Sequence, residues 1–240
     1  MKLWRLLTSI ELCLILLFLL CAAMAAGSFS LSGEYAVAIN SMPLFVWLRQ
    51  VPTGISWWLW LTLALLALLA LNTVLCGSES LWLRRGRGGV CVLLAPQLIH
   101  AGFLLIVLAH LLSAAGSSLQ RLEVREGSLV TLPNGARIGV AGISVNYSPQ
   151  GVLTGFSSQL MTDLQNYSSR TTISPNHPWF SGGYGVYIKQ AEGYPYRRAL
   201  FEVHCEPGAG MALAGSLLFT AGNILLLMVR SKVRENEVSV

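Results

Sequence analysis

Charge is scarce in this chain. Only 11% of its 240 residues are charged while 54% are hydrophobic, and mean hydropathy is +0.60. A soluble domain carries about 25% charged residues, so composition alone excludes an ordinary soluble protein. Histidine is scarcer still, with four copies. There is no CxxC pair, which removes both a thioredoxin-like redox centre and a CxxCH haem-attachment site. No HExxH, no phosphate-binding glycine loop and no clustered metal-ligand spacing occurs. The net charge of +5 and a pI near 9.1 do not indicate nucleic acid, because the basic residues sit in short clusters beside apolar runs.

Long apolar runs are what the chain has instead. A bilayer-spanning helix needs about 20 mostly apolar residues. Four stretches supply them: about residues 3–26, 57–76, 90–115 and 209–230. The first also reads as a cleaved signal peptide, with Lys2 and Arg5 before the apolar run and Ala23-Met24-Ala25 as a small-x-small site. A retained helix tolerating Glu11 is the opposing reading. Residues 27–56 form a short loop interrupted by the apolar segment Met42 to Trp47, too short to span. Trp57, Trp58 and Trp60 open the second span as an aromatic belt at headgroup level.

Orientation follows from the cations. Lys2 and Arg5 precede span one, Arg84, Arg85 and Arg87 lie in the loop 77–89, and Arg230, Lys232 and Arg234 follow span four. With four spans these all fall on one side, the cytoplasmic one, leaving both termini and the tail 231–240 inside. The loop 27–56 carries only Arg49 and Glu34.

Residues 116–208 are the only sizeable polar region. Turn signals at Pro133-Asn134-Gly135, Ser148 to Gly151, Pro175 to Pro178 and Ser181 to Gly183 separate β-rich segments. Those segments are Leu119 to Leu132, Arg137 to Tyr147, Val152 to Leu164, Gly185 to Gln190 and Ala199 to Cys205. The expectation is a mostly antiparallel extracytoplasmic β domain between helices three and four of a four-helix membrane protein. Seven basic and six acidic residues leave it nearly neutral. Asn166-Tyr167-Ser168 matches a glycosylation sequon, which matters only in a secretory eukaryotic setting.

Span three attracts the functional reading. His100 lies well inside its apolar run and His110 near its outer end. An ionisable group inside hydrocarbon is costly and is read as functional by default. The bland alternative is a histidine that hydrogen-bonds a neighbouring helix. Pro96, one turn before His100, frees a backbone carbonyl in the same layer, and Ala101 and Gly102 leave room for a flat group or a close helix. Gly208, Gly215 and Gly222, at seven-residue spacing, form a helix-packing stripe. The cysteines, Cys13, Cys21, Cys76, Cys91 and Cys205, suggest no redox pair. Cys205 reads as a small buried hydrophobe.

The order of these features resembles the ResB/CcsB family of System II cytochrome c biogenesis, in a short form without a fused CcsA part. The likeness runs over nearly the whole chain. It takes in Leu6-Leu7-Thr8-Ser9, Pro43-Leu44-Phe45, Ser56-Trp57-Trp58, Leu71-Asn72 with Cys76, and His100 to Leu105. It continues with Pro175-Asn176-His177-Pro178, then Gly182, Gly183, Tyr187 and Gln190, and Glu206-Pro207-Gly208. The resemblance favours retention of the first helix. It implies a bacterial inner-membrane component of a complex that exports haem and attaches it to apocytochrome c.

In that family the tryptophan-rich haem-handling motif belongs to CcsA, and Trp57-Trp58 is not that motif. A CcsA-like partner is therefore implied. The position matching the family's transmembrane haem ligand is His100, the haem-iron ligand by resemblance. His110 and His177 are weaker cofactor-binding candidates: His110 has a headgroup-level explanation, and His177 sits between prolines in a turn. With His177 and His204 in the outer domain, no second histidine stands at the level of His100 in this chain. A second axial ligand must come from a partner, a second copy or another residue type. No activated thiol or acid–base constellation is visible, so the chain reads as a non-catalytic subunit. Two other classes remain open: a haem-free scaffold presenting its β domain to a partner, and a subunit of a quinol-oxidising complex, which the histidine count disfavours.

Overall fold

The computed structural model describes residues 2–39, 42–84, 90–162 and 169–238. Arg85, Arg87 and the Asn166 sequon lie outside the described residues. The element order is α1 (Lys2–Leu7), α2 (Ile10–Ser30), α3 (Gly33–Ile39), α4 (Leu44–Gln50), α5 (Thr53–Arg84), α6 (Val90–Gly116), β1 (Ser118–Arg125), β2 (Leu129–Thr131), β3 (Arg137–Tyr147), β4 (Leu153–Met161), β5 (Arg170–Ile173), β6 (Trp179–Ser181), β7 (Tyr184–Glu192), β8 (Arg198–Cys205) and α7 (Ala209–Val238). The chain divides into a helical unit, residues 1–115 with 208–240, and a β unit, residues 116–207.

In the helical unit, among the described residues, four helices are long and apolar enough to cross a membrane: α2, α5, α6 and the first part of α7. The first apolar stretch is not one helix, because it breaks at Thr8-Ser9 between α1 and α2. The second extends beyond residues 57–76 in both directions, running through Gly54 and Gly77 to Arg84 with no proline to interrupt it. Residues 27–56 are more ordered than a loop. The chain continues α2 to Ser30, then folds α3 and α4, and packs Trp47, Leu48 and Val51 against Trp58 and Leu59.

That packing corrects the reading of the tryptophan belt. Trp57 and Trp60 are exposed, at 47% and 49%, but Trp58 is 7% exposed and turns inward onto α2 at Gly27. A Cβ at Gly27 would stand 2.0 Å from the Trp58 ring, so only glycine permits this approach.

Helices α6 and α7 meet backbone to backbone. A Cβ on Gly208 would stand 2.0 Å from the Ala109 carbonyl oxygen, one on Gly215 2.9 Å from that of Gly102, and one on Gly222 3.0 Å from that of Ala95. Gly102 answers in kind, its missing Cβ leaving room for the Phe219 backbone nitrogen. Room at Gly102 therefore serves a close helix rather than a flat ligand. Lipid gives no hydrophobic drive for helices to associate, so small residues that permit close contact do that work. α6 runs continuously through Pro96, whose missing N–H leaves the Val92 carbonyl without its helical donor.

The β unit is two four-stranded antiparallel sheets, ordered β1-β8-β7-β6 and β2-β3-β4-β5. They enclose one apolar core in which Val140, Ile143, Leu160, Ile173, Val186 and Phe201 are fully buried. The stretch Leu119 to Leu132 is two strands, because Glu126-Gly127-Ser128 turns with Gly127 at φ 79°. Strands β5 and β6 were not expected; they have four and three residues and border turn-rich sequence. Gly182 and Gly183, both at positive φ, close the β6–β7 hairpin with the twist such tight turns require.

Candidate functional site

The break between α1 and α2 builds one wall of a cavity. Ser9 caps α2, its Oγ accepting the Leu12 N–H at 3.1 Å. Two carbonyls at the break meet Asn72 of α5, that of Ser9 also accepting the Cys13 N–H at 3.4 Å. The Asn72 Nδ2 donates to the Leu7 carbonyl at 2.7 Å and reaches that of Ser9 at 3.3 Å. Asn72 is 2% exposed, so these bonds satisfy an amide that would otherwise be a buried penalty of about 1–3 kcal/mol. Next to it, Thr73 donates to the Leu69 carbonyl within its own helix.

Behind this wall lies a cavity of about 400 Å³ formed by α2, α5, α6 and α7. Its lining is largely apolar, with Leu17, Leu69, Ile99, Phe103 and Phe219, and it also carries His100, Cys13 and Cys76. That volume falls in the range of small-molecule sites, about 300–1,000 Å³. His100 Nδ1 is buried and has no hydrogen-bond partner among the described residues. The ring stands beside the α5 backbone, where a Cβ on Gly77 would lie 3.2 Å from Nδ1. The polar bond between α6 and α5 at this level belongs to another residue, Gln97, whose Nε2 donates to the Gly77 carbonyl at 3.3 Å. Among the described residues no hydrogen bond joins His100 Nδ1 to a neighbouring helix. The ring lines the cavity, while its Nδ1 is turned toward the α5 backbone at Gly77.

The other histidines are placed elsewhere. His110 is exposed on α6, ten residues on from His100, hence about 15 Å further along the helix and on a different face. His177 is exposed in the turn before β6, its backbone paired with Ser174. His204 lies on β8, in the β unit with His177. Among the described residues no three His, Cys, Asp or Glu side chains converge to hold a bare metal ion.

What residue-by-residue reading missed is the company His100 keeps. Cys13 and Cys76 were read only as cysteines of separate spans with no redox pairing, and Asn72 as a span end. The available signal was the colinear likeness itself, since Ser9, Asn72, Cys76, His100 and Phe103 all line this one cavity.

A second polar cluster occupies the β unit. Glu202 on β8 accepts Arg121 Nε at 2.9 Å and pairs with Lys189 Nζ at 3.4 Å and His204 Nε2 at 3.1 Å. An ionised carboxylate only accepts, so the His204 proton in this pair sits on Nε2. Burial pushes the Glu202 carboxyl upward, but the bonds from Arg121, His204 and Lys189 outweigh it and hold it at about 2. The Tyr187 ring packs edge-on to His204 with centroids 5.0 Å apart. The cluster pins β1, β7 and β8 together, and every charged group in it has a partner.

No family model matches this chain, and no curated protein matches it. Among solved structures it is similar to one described as cytochrome c heme lyase CcmF, at 16% sequence identity and a TM-score of 0.46. The match covers 82% of this chain and 35% of that one.

Proposed function

We propose that this chain is a haem-handling subunit of a cytochrome c maturation complex of the ResB/CcsB type, with His100 as an axial ligand to haem iron. The observation that carries the proposal is that His100, an imidazole with an unpartnered Nδ1, lines a largely apolar cavity inside the helical unit. The colinear resemblance supplies the chemistry: the matching position in that family is a transmembrane histidine implicated in haem ligation. Bound haem would supply an iron centre whose potential depends on its axial ligands and apolar surroundings. The ring packs against the α5 backbone at Gly77, and Leu69, Ile99 and Phe103 give the cavity beside it an apolar lining.

The cavity lies at the small end of the range for ligand sites, which suits a haem shared with a second subunit better than one enclosed by this chain. A CcsA-like membrane protein is that subunit in our reading, and apocytochrome c is the acceptor. The positive-inside pattern supports a bacterial inner-membrane location, cytoplasmic termini and a periplasmic β unit. No residue here is assigned to thioether formation. The test is maturation in cells carrying the CcsA-like partner. His100→Ala should abolish covalent haem on a reporter cytochrome c while leaving this chain's abundance unchanged. Undiminished maturation in that variant would overturn the proposal.

A further inference from the structure

We infer that the open edge of β1 takes an extended segment of a polypeptide that has not yet folded, adding it to the sheet as a further strand. The inference goes beyond the His100 cavity. It rests on the proposed function only for the identity of that polypeptide, the acceptor apocytochrome c. Sheet edges carry unpaired backbone groups, and proteins blunt them with very short strands, prolines or bulges. Three of the four edge strands here are blunted by shortness: β2, β5 and β6 have three, four and three residues. The turn from β5 to β6 is also closed, by the Ser174–His177 bridge. The fourth edge, β1, is different. Its eight residues include no glycine or proline and pair with β8 without a register shift.

The last residue of β1 shows which groups the edge offers. Arg125 N–H donates to Ser128 Oγ at 3.3 Å, and its carbonyl accepts the Ser128 N–H at 3.1 Å, so both serve the turn and not β8. Along an antiparallel strand, residues alternate between directing both backbone groups to one side and to the other. Leu119, Arg121 and Glu123 therefore share the side of Arg125. Among the described residues their backbone groups meet no partner on that side. The charged side chains of the edge are engaged already. Arg121 pairs with Glu202 at 2.9 Å, Glu123 with Arg198 at 3.1 Å, and Arg125 lies over the Tyr196 ring at 4.5 Å. What remains on offer is backbone, which gives strand addition its affinity and reads little sequence. A folded domain has spent its N–H and C=O groups internally. An acceptor without its haem lacks the group its core packs around, and its segments still have theirs to give.

Purified full-length protein in detergent, without haem, is tested against a reporter apocytochrome c by binding and by hydrogen–deuterium exchange. In the wild type the apocytochrome should slow exchange at Leu119, Arg121 and Glu123, and the same cytochrome already folded around haem should not. Two variants separate backbone from side chain. Glu123→Ala removes the ion pair to Arg198 and keeps the amide hydrogen. Glu123→Pro removes that hydrogen as well, at an outward edge position where proline spares the β8 ladder. Glu123→Ala should bind the apocytochrome as the wild type does, and Glu123→Pro about tenfold more weakly, the scale of one lost hydrogen bond. Should Glu123→Pro fail to accumulate, the wild-type exchange decides alone. Unslowed exchange in β1, or equal binding by the two variants, overturns the inference. Protection that rises with this chain's own concentration also overturns it, since the occupant would then be a second copy. His100→Ala should bind the apocytochrome normally, so an unprotected β1 sinks this inference alone. Full maturation without His100 sinks the haem ligand and leaves β1 standing.

Discussion

At the scale of single residues, burial decides which polar groups matter. Asn72 spends its amide on two carbonyls of a helix break, and no other described side chain meets them. Asn72→Leu keeps the volume and loses both bonds. It should lower the thermal midpoint of the detergent-solubilised protein, at a cost of about 1–2 kcal/mol by the usual scale of such bonds. Unchanged melting would mean the break is held by packing alone. Glu202 makes an analogous claim in the β unit. Its folded-state pKa of about 2 lies below the ordinary 4.5, so the unfolded chain takes up the proton first. Its stabilisation is complete above about pH 4.5 and is lost as pH falls toward 2. Stability measured by circular dichroism across that window should fall less steeply in Glu202→Gln than in the wild type. Parallel curves would remove Glu202 from the acid response.

At the scale of elements, the chain uses glycine where helices must touch and β-branched residues where sheets must fill a core. Gly208→Val puts a branched side chain where a Cβ already stands 2.0 Å from the Ala109 carbonyl. The cost should exceed the ~1–3 kcal/mol typical of overpacking, because the obstacle is backbone and cannot rotate away. The expected readout is strongly reduced accumulation in membranes, with Gly210→Val as a control, since nothing stands within 4 Å of a Cβ there. In the β unit Ile143→Ala should cost about 2–5 kcal/mol, read as a lowered denaturant midpoint.

These elements were not equally visible in advance. The long helices follow from uninterrupted apolar length, and the seven-residue glycine stripe from its spacing. Strands β5 and β6 were invisible because three or four residues carry too little periodicity. The inward turn of Trp58 was invisible because only a partner 31 positions away, Gly27, makes the space for it.

At the scale of the whole molecule, the helical unit is organised around a cavity whose walls come from four helices. His100 stood out from its position inside an apolar run. The residues that share its cavity did not, because bringing Cys13, Asn72 and Cys76 to one cavity is a tertiary fact that no local pattern encodes. Half a site, as the histidine count suggested, becomes in our reading a largely apolar cavity with one imidazole that still looks outward for the rest of its ligand. The most direct measurement is the haem-to-protein ratio of the complex purified from cells co-expressing the CcsA-like partner. The account predicts bound haem in the wild type and in His110→Ala and His177→Ala, with loss of haem in His100→Ala. Equal haem in all four preparations would contradict it.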